Sequence, residues 1–553
     1  MASAALPAWS PIMVVLVVAL AVGVRLPPRC RAEFTVVVPD TSAAALVDAP
    51  QTGFSDRART DPAEQRAVKE VMAATGNGWA WGIPDVCRGR WHGIECVPDR
   101  HDVYHVVSLA FGALSDDTAF PACDAAAATL SPAVLALPHL RSLFFYRCFT
   151  GNPQPIAGLL GRLGPAFRSL VLRQNGHVGP IPAELGNLKA LRVLDLHGNQ
   201  LTSAIPATLQ SLSHLQMLDL SYNRLAGPVP QFKFQRLSIL DLSHNALQGP
   251  VPASLGQCRS LLKIDLSQNG LAGTIPDTLG DLSQLMLLDL SHNALSGPIP
   301  AALSRLSSLR SLILSDNRMQ FTTVPGGFFS GLKALTTLVL SGMGLAGTIP
   351  ESIGELSELR VLLLDSNQFT GVIPATFRRL ERASELRVDG NRLVGPIPFG
   401  KEMMWRLGKK LRVGGNEGLC YDTKQEGLEG VLALAGVADC DSVRSRTTQH
   451  LVWINGTVGG RPGAVATSAA SGSRDPVAAR VGSCLVLVSL HLACVASYPA
   501  ALRLAPGRGL LLVLGLPVVK SLLGRRRRLT ITGVVVGEES SRLLPSHRLT
   551  AGR

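Results

Sequence analysis

The chain has 553 residues, 46% of them apolar and 17% charged, with 54 Gly, 36 Pro and 10 Cys, which is too apolar for disorder and too long for one ordinary core. Its formal net charge of +13 would suggest an anionic partner if it covered one face. Instead residues 503–553 carry ten basic and two acidic groups, residues 1–32 carry Arg25, Arg29 and Arg31 with no acid, and the rest is nearly neutral, which argues against nucleic-acid binding.

Taken in chain order, Pro11 to Val24 is an apolar run too short for a bilayer, followed by a small-residue boundary at Ala32, so residues 1–32 are expected to be a secretory signal. Export places the remainder in an oxidising compartment. A linker, 33–60, leads to an N-terminal cap and insertion, 61–136. Within it DPAEQRAVKEVMAATGN reads as a helix with Asp61 as N-cap, and a Trp-rich segment carries Cys87 and Cys96. A zinc site from Cys87, His92 and Cys96 lacks a fourth ligand, so a disulfide is the simpler expectation. Cys123 and Cys148 are expected to form a second bridge, tying the insertion to the first full repeat. Cys420 and Cys440 are expected to form a third, and Cys258 to stay free and buried. Six such cysteines allow fifteen connectivities, so these pairs rest on proximity.

Residues 137–419 repeat the pattern L-x-x-L-x-L-x-x-N-x-L-x-G-x-I-P about eleven times, as in LQMLDLSYNRLAGPVP and LLKIDLSQNGLAGTIP. Asn recurs at 175, 199, 223, 245, 269, 293, 317, 367, 391 and 416, with Met343 in its place in the double-length step and Cys148 in its place before the first. Alternation of Leu with other residues gives a short strand whose Leu point inward, and stacking such strands gives a parallel sheet on a continuous Leu core. Each Asn is expected to bond the free backbone groups of the adjacent coil. The G-x-I-P segment supplies a turn and a second extended stretch. The fold class is therefore an α/β solenoid, a leucine-rich-repeat superhelix with a parallel sheet on its concave face and disulfide-capped ends. At roughly 4.8 Å per coil the arc runs about 50 Å, a surface for macromolecules.

After the C-terminal cap, 420–440, residues 441–480 form a Gly/Ala/Ser-rich stalk, and Asn455-Gly-Thr within it is a candidate glycosylation site. Val481 to Leu502 carries no charge and suits a single transmembrane helix. The basic tail, 503–553, with its Arg525 to Arg528 run, is expected in the cytoplasm, which gives a single-pass type I protein of the plasma membrane. The second apolar stretch, Gly509 to Leu523, is interrupted by Pro517 and Lys520 and reads as interfacial or cytosolic.

No Walker loop, kinase loop set, H-E-x-x-H or G-x-S-x-G elbow is present, so the chain is expected to be a binding protein and no enzyme, with no cofactor and no metal. His197, His244 and His292 are expected to be solvated. The side chains between and after the later Leu of each repeat should project from the concave face. In the early repeats these are Phe144, Tyr146 and Arg147, then Val171, Arg173 and Gln174, then Asp195, His197 and Gly198. Aromatics beside Arg match binding hot spots, so Phe144, Tyr146, Arg147, Arg173 and His197 are the candidate peptide-binding residues. The competing expectation is that Phe144 and Tyr146 pack under the Cys123–Cys148 insertion.

The repeat with its G-x-I-P resembles that of the plant leucine-rich-repeat receptor-like proteins. The non-repeat segments ARTDPAEQRAVKEVMAATGN, PDVCRGRWHGIEC, HVVSLAFGALSDDTAFPACD and LPHLRSLFFYRCFTGNPQPI are similar to those of the stomatal-patterning branch of that family, over roughly Asp56 to Cys440. The resemblance implies a kinase-less co-receptor of ERECTA-type receptor kinases that helps sense secreted Cys-rich epidermal patterning factor peptides. An extracellular inhibitor or immune receptor recognising a pathogen protein is the alternative.

Overall fold

The computed structural model describes residues 58–89, 92–112, 120–421 and 437–442. The expected signal, glycosylation site Asn455, transmembrane segment 481–502 and basic tail lie outside the described residues, as does the stalk beyond residue 442. Among the described residues no helix is long and apolar enough to cross a membrane.

The cap begins as its sequence requires. The Asp61 carboxylate accepts the backbone N–H groups of Ala63 (2.9 Å) and Glu64 (3.0 Å), and Pro62 occupies the first turn, so helix α1 (Pro62–Ala74) starts there. Its buried face, Val68, Val71 and Met72, joins the solenoid core and closes that end.

Strand β1 (Arg59–Thr60) pairs in parallel with β3 (Val103–Phe111), whereas β2 (Ile94–Pro98) pairs with β3 antiparallel. From β3 onward every neighbour in the concave sheet is parallel, through β4 (Ser142–Tyr146), β5 (Ser169–Arg173) and then one short strand per coil to Leu411–Arg412; with β1 and β2 the sheet has fifteen strands among the described residues. The register places like on like: Leu194, Leu218, Leu240, Ile264, Leu288 and Leu312 stack and are fully buried. The G-x-I-P segments form further parallel strands on the flank, such as Ala226–Pro228 beside Ala246–Gly249, and short 3-10 turns follow them. In those turns Gly256 sits so close to the next coil that a Cβ would lie 2.2 Å from the Thr278 carbonyl oxygen, which explains the recurrent Leu-Gly at this position.

The asparagine ladder is as expected. Asn269 Nδ2 donates to the carbonyls of Leu242 (2.9 Å) in the previous coil and of Leu266 and Ser267 in its own, while its Oδ1 accepts the Leu247 N–H (3.0 Å). In most coils the residue before this Asn is left-handed although it is no glycine: Tyr222, His244, Gln268, His292, Asp316 and Ser366 have φ between 52° and 57°. The amide bonds to both coils over-determine this turn and offset the backbone cost.

All three expected disulfides are present, Cys87–Cys96, Cys123–Cys148 and Cys420–Cys440, so the first bridge excludes zinc at Cys87 and Cys96. Cys258 is free and buried. One element was not anticipated: helix α2 (Lys401–Leu407) interrupts the last coil, burying Met403, Met404 and Leu407 and leaving Trp405 71% exposed.

Candidate recognition surface

Because side chains alternate along each strand, every coil offers its outward residues to the concave face, and the parallel register lines them up in columns. The central column reads Phe144, Val171, Asp195, Asp219, Asp241, Asp265, Asp289, Ile313, Val339, Leu363, Arg387 and Arg412. The concave face is thus segregated along its length into an aromatic start, five carboxylates, three half-buried aliphatics and a basic end.

At the aromatic start the half-buried Phe144 ring tilts against Phe120 of the insertion at 6.0 Å between centroids. Tyr146 is half-buried with the Arg147 guanidinium 5.1 Å from its ring centre, and Arg147, exposed and left-handed at φ 53°, donates from Nε to Gln174 Oε1 (2.8 Å). Tyr146 and Arg173 are register partners on adjacent strands.

Arg173 and His197 depart from the expected exposure: both are buried, as are Asp195 and Asp219. Arg173 Nη1 lies 3.5 Å from Asp195 Oδ2, and His197 Nδ1 lies 2.8 Å from Ser221 Oγ and 3.9 Å from Asp219 Oδ1. The physical reason is that short Asp side chains on the next coils draw the longer basic groups down onto the sheet. Burial, assisted by the Arg173 charge, pushes the His197 pKa down to about 4, so this ring is neutral at physiological pH and is no solvated histidine. His244 is half-buried with its pKa lowered by burial, its ring stacked on Tyr222 at 4.0 Å; His292 is exposed, as expected.

The carboxylate column was visible in the sequence only as the recurrent L-D-L-S. Each Oδ1 accepts the N–H two residues on and, in four coils, the Ser hydroxyl as well, as Asp241 does from Ser243 (3.1 and 2.7 Å). Lys263 bridges two coils, with Nζ 2.7 Å from Asp241 Oδ2 and 3.6 Å from Asp265 Oδ2. Burial first, and neighbouring carboxylates with it, raise the pKa of Asp195 to about 6 against the opposing pull of Arg173, and that of Asp265 to about 7. Asp219 and Asp289 shift upward as well, through burial first, and Asp219 Oδ2 is buried with no hydrogen-bond partner. For Lys263 the surrounding carboxylates outweigh burial and raise its pKa. Such a face can offer graded charge and apolar area to an extended ligand or a second solenoid.

Leucine-rich-repeat family models match residues 165–225, 236–258, 263–319 and 358–380. The chain is 61% identical over 164 residues to Protein TOO MANY MOUTHS of Arabidopsis thaliana, covering 29% of this chain and 33% of that protein. It is 36% identical over 141 residues to Receptor like protein 29 of Arabidopsis thaliana, covering 24% of this chain and 29% of that one. The matches therefore span about a third of the length of these relatives. Among solved structures, the Arabidopsis receptor kinase HAESA in complex with the peptide hormone IDA and the co-receptor SERK1 is 32% identical, with a TM-score of 0.46 over 53% of this chain and 52% of that one. The PEPR1–AtPEP1 structure is 26% identical with a TM-score of 0.49, over 65% of this chain and 52% of that one. The chain is related to the plant receptor-like proteins and carries their repeat solenoid.

Proposed function

We propose that this chain is a cell-surface receptor-like protein that binds a secreted Cys-rich peptide of the epidermal patterning factor type together with an ERECTA-type receptor kinase, and so takes part in stomatal patterning. Recognition is the whole of its task in this reading, and a partner supplies the kinase activity. The observation that carries it is the concave face, whose central column changes character three times along one continuous sheet. The 61% identity to TOO MANY MOUTHS narrows the choice among receptor-like proteins. Attachment by one crossing at 481–502, with the repeats outside and the Arg525 to Arg528 run inside, belongs to the same proposal, as do glycosylation at Asn455 and a contact surface at Phe144, Tyr146, Arg147, Arg173 and His197.

Exposure decides which of these residues to test. Arg173 neutralises a buried carboxylate, so its removal would disturb folding as well as binding. Tyr146→Ala with Arg147→Ala changes only half-buried and exposed side chains. In a pull-down with an ERECTA-type ectodomain and patterning-factor peptide, this double variant should capture at least about tenfold less complex, as expected for hot-spot side chains. Lys333→Ala, at an exposed ion pair on another part of the solenoid, should leave capture unchanged. Capture equal to that of the unaltered protein removes the site from the first coils. Capture of a pathogen protein without peptide or kinase would favour the inhibitor or immune-receptor alternative.

A further inference from the structure

Three residues that neither the repeat nor the concave face uses converge where the cap meets the first coil. Glu64 comes from α1, His105 from β3, and His139 from the turn that leads into β4, and one ligand atom from each lies within 4.8 Å of the others. Glu64 is buried; its Oε2 accepts the Val106 N–H at 2.7 Å and its Oε1 lies 2.7 Å from His105 Nδ1. The two imidazoles lie face towards face at 4.0 Å between centroids, tilted by 41°, and His139 is open to solvent. On the far side of the His105 ring, Asp99 Oδ2 lies 3.8 Å from Nε2, and its other oxygen is fixed by the N–H groups of His101 and Val103, both at 2.8 Å.

We propose that Glu64, His105 and His139 bind one divalent transition-metal ion of the zinc class. Two imidazoles and one carboxylate on three separate elements are a donor set suited to Zn2+, and ill suited to Mg2+ or Ca2+, which prefer oxygen alone. Loading requires Glu64 Oε1 and His105 Nδ1 to part by a few tenths of an ångström, since ligands on one ion with bonds of about 2.0–2.1 Å stand farther apart than a hydrogen bond. The imidazole proton then sits on Nε2, on the side of the Asp99 carboxylate 3.8 Å away; a carboxylate behind a ligating histidine helps to fix the ring. The Val106 N–H orients Glu64 in the same way. The exposed side at His139 is the entry path and leaves room for water as a fourth ligand. An ion here ties the helix, the first long strand and the first coil together, so its binding energy adds to the stability of the cap.

The test uses the purified secreted protein with ZnCl2 as probe, read by isothermal titration and by the melting midpoint. One equivalent of Zn2+ should bind and raise the midpoint, and MgCl2 should do neither. His139→Ala, at an exposed position, should fold normally, lose at least tenfold in Zn2+ affinity and lose the midpoint shift. His139→Cys, which restores a zinc ligand, should recover both. His214→Ala, at an exposed histidine elsewhere, should behave as the unaltered protein. Zn2+ binding that His139→Ala leaves intact, or the lack of any stoichiometric binding, would overturn the site.

Discussion

The first coils and the central coils share one strand-and-turn unit but are held together differently. Between Val193 and Leu295 each coil repeats its neighbour's contacts: stacked Leu, one Asn joining two coils, and one Asp fixing the turn that follows its strand. Around β4 these parts are replaced by singular ones. Cys148 stands where the Asn would be; its N–H still bonds Asn175 Oδ1 at 2.8 Å, but its side chain is spent on the bridge to Cys123. Leu gives way to Phe145, whose ring stacks on Phe111 at 5.1 Å and tilts against Phe149 at 5.2 Å. A repeat array is stabilised by many similar nearest-neighbour interfaces, so no central contact is unique, whereas each contact at the N-terminal end is made once. The place where the repeat is broken is also where the chain carries its cap, its insertion and its exposed Arg147.

Phe145→Ala should break the comparison most visibly. The side chain is fully buried, and truncating such a Phe costs about 3–5 kcal/mol. Chemical denaturation should show the loss of the first coils as a separate, earlier transition while the central coils hold. A single cooperative transition shifted as a whole would mean that the two regions are not energetically distinct.

A smaller effect is expected from Asn269→Ala, which removes one acceptor and three donated bonds from a single central coil. The Leu242 carbonyl keeps its bond from Asn245 Nδ2, so the main cost is the unsatisfied Leu247 N–H, about 1–3 kcal/mol. The same measurement should show this loss without detaching either end. An effect as large as that of Phe145→Ala would mean that the ladder, and not the Leu stack, dominates the central coils.

What the sequence shows and what it hides follows the same division. Leu and Asn at fixed spacing are legible because every coil must bury and bond the same groups, and Asp61 is legible because a cap acts on residues two and three positions away. The exposure of Arg173 and His197 is not legible, since it depends on Asp195 and Asp219 lying on neighbouring strands, more than twenty residues along the chain. The meeting of Glu64 with His105 and His139 is likewise set by how the cap docks, across separations that match no ligand motif. Helix α2 was missed because KEMMWRL breaks the period without a cap residue, Gly400 preceding it with no side chain to offer.

The smallest expected effect, and the one that sharpens the comparison, is a pH dependence confined to the central coils. Four column carboxyls, Asp195, Asp219, Asp265 and Asp289, have pKa values raised by burial, with neighbouring carboxylates adding to it at the first three, that of Asp265 to about 7. A raised acid holds its proton in the folded state where the unfolded chain has lost it, so its contribution is present at low pH and disappears as pH rises from about 4 towards 7. Three histidines oppose this. His177, His197 and His244 have lowered values, so they favour folding above about 6.5 and weaken it below. Lys263 stays charged throughout this range, its pKa being raised, and Asp241, Arg173 and the exposed His292 are further charged or titratable groups beside these. Above pH 6.5 the unfolded histidines are mostly neutral, and the carboxyls act alone. The melting midpoint should therefore decline between pH 6.5 and 8. Asp265→Asn keeps the shape of the protonated group and cannot ionise, so it should flatten that decline while changing little at pH 5.5. Phe145→Ala, away from the column, should lower the curve without altering its slope. A slope unchanged in Asp265→Asn would move the origin of the pH dependence out of the carboxylate column and into the caps.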